Sequence, residues 1–163
     1  MKRNLLLVAT ILALAVVASA AGGVPQLLQF NAMQPVKGPF VGTLHPIRGI
    51  PGAGKIWKIA SATAELDTAG KLQITVRGLV LNDPSTGGAN GTNPLPTFRA
   101  ALSCQSINTL GNPSVVTLRT GNFAATTTGN AVIEQTLSLR TPCFAPMVFV
   151  TTPTGAWLAV SGF

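Results

Sequence analysis

The sequence predicts an all-β domain, an antiparallel β-sandwich or small Greek-key barrel of about seven or eight short strands. Three observations carry that reading. After residue 20 no stretch holds a sustained apolar stripe of helical period. Several stretches instead alternate apolar and polar residues. The residues between them are turn formers, and the chain is rich in Thr, Val, Gly and Pro and poor in Glu and Lys.

The chain opens "MKRNLLLVATILALAVVASAAGG". Lys2 and Arg3 make a basic start, Leu5 to Val17 is apolar except for Thr10, and Ala18-Ser19-Ala20 fits a small-x-small cleavage site. The apolar run is short of the roughly 20 residues a spanning helix needs. It reads as a signal peptide over residues 1–20, cleaved near Ala20, with a retained anchor as the alternative. No stable membrane span is expected after cleavage. Residues 21–48 form a less patterned N-terminal segment, a possible edge strand, and residues 49–163 the β-sandwich domain.

Within that domain, "IWKIASATAEL" reads as a strand with Ala60, Ala62, Ala64 and Leu66 inward. "DTAG" at 67–70 turns it into "KLQITVRGL", where Leu72, Ile74 and Val76 alternate with polar residues. Gly78 then marks a bulge or a close backbone approach. Residues 82–97, "NDPSTGGANGTNPLPT", form a long polar loop of the kind that is often functional or mobile. "FRAALSC" puts Phe98, Ala100, Leu102 and Cys104 on one face, with Arg99, Ala101 and Ser103 on the other. "SVVTLR" offers Val116 and Leu118, and "AVIEQTLSLR" offers Ile133, Leu137 and Leu139. "MVFVT", apolar on both faces, reads as a central strand, and "GAWLAVSGF" closes with Trp157, Leu158 and Val160 as its apolar content.

Removing residues 1–20 leaves nine Lys/Arg against four acids, a net charge of about +5 (9 − 4). The cations are scattered, which favours loose attraction to acidic surfaces. Neither a basic cluster nor an interleaved aromatic platform points to nucleic acid. Cys104 and Cys143 read as a disulfide in an exported chain, with two free buried thiols as the alternative. Closing a loop of about 40 residues stabilises a fold by roughly 4 kcal/mol in the chain-entropy picture.

"GIPGAGKI" at 49–56 matches G-x-x-x-x-G-K but has Ile56 where a P-loop needs Ser or Thr. It also lacks a buried strand before it and a helix after it, so it is not read as a P-loop NTPase or nucleotide site. Catalytic options are thin: one histidine, His45, no G-x-S-x-G elbow, and only Glu65, Asp67, Asp83 and Glu134 as acids. No spacing suits a metal. No cofactor, metal or catalytic residue is expected. A candidate binding surface is Lys55, Trp57 and Lys58 with Asn93 and Arg99, cations and amides beside an aromatic ring.

At "GTNPLPTFRAALSC" and "PCFAPMVFVTTPTGAWLAVSG" the chain resembles a family of small exported bacterial proteins without assigned activity, over roughly residues 49–162. The resemblance implies a single disulfide-linked β domain and brings no catalytic residues. Function is therefore expected to be that of a secreted, periplasmic or cell-surface binding or structural module, not an enzyme, with an anionic glycan or wall polymer as partner. An extracytoplasmic hydrolase and a carrier of a small apolar ligand are the alternatives.

Overall fold

The computed structural model describes residues 24–161; the expected leader and its expected cleavage site lie outside the described residues. The strands are β1 Gln26–Phe30, β2 Gln34–Pro35, β3 Trp57–Lys58, β4 Ser61–Asp67, β5 Lys71–Arg77, β6 Val80–Leu81, β7 Thr97–Ile107, β8 Pro113–Arg119, β9 Phe123–Ala124, β10 Ala131–Thr136, β11 Phe144–Thr151 and β12 Trp157–Val160. They form an all-β sandwich. Sheet A runs β1-β4-β5-β10 and sheet B runs β2-β12-β11-β7-β8, all antiparallel; β3 and β6 make a two-residue ribbon. β9 continues where β8 leaves off, pairing with the start of β7.

Alternation decides which side chains meet between the sheets. Sheet A sends in Ala62, Ala64 and Leu66 from β4, Leu72, Ile74 and Val76 from β5, and Ala131 and Ile133 from β10, all buried. Sheet B answers with Phe98, Ala100, Leu102 and Cys104 from β7 and with Val148 and Val150 from β11. Ala60 departs from its expected inward place. It is exposed, because β4 begins only at Ser61, and a Cβ on Gly78 would stand 2.8 Å from the Ala60 Cβ. Gly78 thus marks a close approach between the chain before β4 and the end of β5.

Four turns, three of them closing hairpins and one linking β9 to β10, share one form. Asp67 to Lys71, Asn108 to Asn112, Thr126 to Asn130 and Thr152 to Ala156 each have glycine fourth, at φ 88°, 80°, 76° and 100°. In each, that glycine N–H donates to the first residue's carbonyl, and the fifth residue's N–H donates to the first residue's side-chain oxygen. This is the three-residue hairpin loop, a type I turn closed by a left-handed residue. Asp, Asn or Thr first and Gly fourth are what it demands.

Sheet B is covered on both faces over part of its length. The outward positions Ala101, Ser103 and Phe149 are all fully buried. The chain from Met33 to Trp57 supplies the cover. Val36 N–H donates to Leu158 O, Ala53 N–H to Trp157 O, and the Phe40 ring lies 6.2 Å from that of Trp157. Ile47 and Ile50 bond each other in both directions around Arg48 and Gly49, both at positive φ, a tight two-residue turn. Arg48 Nη1 donates to Ser103 O at 2.8 Å, pinning this turn onto β7, and partial burial lowers the Arg48 pKa. A domain boundary between residues 48 and 49 would cut through that turn.

Candidate functional site

The predicted surface around Trp57 does not assemble. Trp57 is 5% exposed and belongs to the core, its N–H bonded to Val36 O, so no aromatic face is offered there. Asn93 is 3% exposed, and its amide ties the long loop together through main-chain groups: Nδ2 donates to Leu95 O and Thr126 O, and Oδ1 accepts from Leu95 N–H. Arg99 is half-buried and clamps two turns, Nε donating to Thr120 O and Nη1 to Pro153 O. Lys58 is exposed on the ribbon. Lys55 reaches the long loop, 3.0 Å from Ser85 Oγ and 3.7 Å from Asp83 Oδ2.

That loop is structured. Asp83 caps short 3₁₀ turns over Pro84–Ala89 by accepting from Ser85 N–H, and hydrogen bonds from Ser85, with Lys55 adding to them, hold its carboxyl below the usual range. "GIPGAGKI" is resolved here too. Gly49 completes the Ile47–Ile50 turn, Gly52 runs parallel beside Trp157, and a Cβ on Gly52 would collide with Phe40 O.

Three of the four acids, Glu65, Asp67 and Glu134, belong to the outer, solvated face of sheet A, on β4 and β10. Glu65 and Glu134 share a cross-strand row with Gln73 between them. Glu134 Oε1 is 3.0 Å from Lys71 Nζ, whose pKa it raises by that bond and by its charge, and Gln29 Nε2 donates to Glu65 Oε1 at 3.3 Å. His45 is exposed on the covering segment, away from any of these by sequence and element. Among the described residues no group of three or more His, Cys, Asp or Glu is placed to hold a metal.

The surface that does assemble is apolar and lies where the cover over sheet B stops. Phe144, Gln105 and Val115 stand in one cross-strand row of β11, β7 and β8, and Ile107 faces Pro113 in the next. Phe144, Val115 and Ile107 are 57%, 53% and 52% exposed, and Leu110, at the tip of the β7–β8 turn, is 82% exposed. Phe144, Gln105, Val115, Ile107 and Pro113 line an open groove of about 470 Å³, with Leu110 outside it. Exposed apolar side chains gathered around one groove make this the candidate interaction site.

One device holds the groove open. β11 spends three residues, Phe144 to Met147, against two on β7, Gln105 to Ser103. The extra residue is a β-bulge, with Ala145 at φ 42°. Val148 and Val150 point into the core, so an unbroken strand would point Phe144 inward and Cys143 outward. The bulge inverts both. Phe144 turns to solvent, and Cys143 turns in to bond Cys104, with Cα atoms 5.0 Å apart. Sequence alternation missed this site because the inversion is set by one unpaired residue; the cysteine at an outward phase was the only signal of it. Among the described residues no helix is long and apolar enough to cross a membrane. No protein-family model, curated protein or solved structure matches the chain.

Proposed function

We propose that the chain works outside the cytoplasm, secreted or at the cell envelope, as a non-enzymatic binding module: a disulfide-stapled β-sandwich that attaches to an apolar surface of its partner. The observation that carries this reading is the Phe144–Gln105–Val115 row, three strands wide and left uncovered on a face where Ala101, Ser103 and Phe149 are fully buried. The disulfide beside it suits an oxidising compartment. Scattered positive charge favours a second reading, attachment to an anionic glycan or wall polymer.

Salt separates the two. The mature chain, residues 21–163, is applied to an envelope fraction of the producing organism at low and high salt. Apolar attachment predicts retention that high salt does not release and that the double variant Phe144→Ser, Val115→Thr lowers at least tenfold, about 1.4 kcal/mol. Retention released by salt and indifferent to the variant would transfer the function to the anionic polymer, since exposed charges are screened.

A further inference from the structure

We propose that two copies of this chain pair edge to edge and antiparallel through β8, about a two-fold axis, joining their two B sheets into one. The reading rests on the main chain of β8 and not on the apolar groove, so either can fail alone.

β8 ends sheet B, and the phase of its ladder is known. Thr120 N–H donates to Ala100 O and Asn108 N–H to Asn112 O, so the bonded pairs of β7 and β8 are the even-numbered ones: Leu102 with Leu118, Cys104 with Val116, Ser106 with Ser114. The main-chain groups of Val115, Thr117 and Arg119 therefore point away from β7. No strand among the described residues takes them.

Open edges invite pairing, and proteins blunt them. The other three edges here are blunted. β1 carries a bulge between Gln26 and Leu28, and β2 is two residues long. β10 carries Glu134, and its Gln135 Oε1 accepts from Gly121 N–H. β8 is seven residues long with no bulge. Its proline is the first residue and its single charge, Arg119, the last.

Those two ends fit each other, which favours a second copy over any other strand. With the axis at Val116, Val115 and Thr117 of one copy exchange both main-chain bonds with Thr117 and Val115 of the other. Pro113, which has no N–H to give, lies opposite Arg119, whose N–H donates to the Pro113 carbonyl. Neither arginine faces a like charge, a pairing that would be destabilising. Such an isologous contact closes at two copies. It also brings the apolar grooves of the two copies onto one continuous face.

Light scattering on the mature chain over a dilution series tests this. The expected result is twice the single-chain mass, dissociating on dilution. Raising salt should tighten the pair, because both copies are positive. Thr117→Pro deletes an outward N–H and leaves the β7 ladder intact; it should weaken pairing at least tenfold with an unchanged far-ultraviolet dichroism spectrum and unchanged retention on envelope. Thr117→Lys, a charge on the open edge and outside the groove, should do the same to pairing and decides the matter if the proline variant unfolds. A wild type monomeric at several hundred micromolar, including one that captures an extended peptide along β8 instead, overturns the proposal. So does a dimer indifferent to both substitutions.

Discussion

Ser103 on β7 and Thr120 just after β8 both carry buried hydroxyls, and they differ in what their oxygens meet. Ser103 is fully buried and its Oγ has no hydrogen-bond partner, whereas Thr120 Oγ1 accepts from Ala100 N–H and donates to Gly121 O. A buried polar group without a partner forfeits its hydration for nothing, and removing one half of a buried pair strands the other. Ser103→Ala should therefore leave stability unchanged or raise it by about 1 kcal/mol. Thr120→Ala should lower it by about 1–3 kcal/mol. Urea titration of both variants checks the opposite signs. Residue identity alone would have ranked the two alike. Arg99 and Asn93 teach the same lesson: polar residues beside a loop read as a binding surface, and main-chain carbonyls turn out to be what they bind.

The four turns show how much an element owes to its own five residues. Each glycine sits at a φ that costs other residues about 1–2 kcal/mol. At Gly111 nothing lies within 4 Å of an added Cβ, so Gly111→Ala should cost only that local strain. At Gly129 the added Cβ would collide with Leu79 O and Leu79 N, main-chain atoms that cannot swing aside. Gly129→Ala should cost about 3 kcal/mol or more, since backbone must move. Thermal unfolding of the two variants checks the difference; equal losses would mean that the turn alone sets the requirement. The sequence "DTAG" announced its turn because all its signals are local. The bulge at Ala145 left only an out-of-phase cysteine as a sign, because it is defined by a partner strand some 40 residues away in the chain.

Across the whole molecule the disulfide joins the last core strand before β8 to the crossing from sheet A into β11. Its loop spans 39 residues, and closing such a loop stabilises by about 4 kcal/mol in the chain-entropy picture. Cys104→Ala with Cys143→Ala should lower stability by roughly that amount, read by urea titration. Amide exchange should accelerate most at Phe144 and Ala145, whose inverted phase the bond secures. Uniform acceleration along sheet B would show instead that the bulge holds itself. The wrap of residues 33–57 belongs to this scale as well. It buries Ala101, Ser103 and Phe149 and stops short of Gln105, and that stopping point is what makes an apolar surface out of one half of a sheet face.

Read alone, the residues determined the all-β class, the inward sets of β4, β5 and β7, the central place of β11, the turn at "DTAG" and the pairing of the cysteines. Each follows from period-two alternation, from local turn chemistry or from there being only two cysteines to pair. Tertiary structure decided that Trp57 is core, that "GIPGAGKI" folds into a covering turn and an edge beside Trp157, and that Phe144 faces water. None of these is written in a local pattern. A side chain's exposure depends on what is laid across it, and the strand phase that aims it can be reversed by a single unpaired residue.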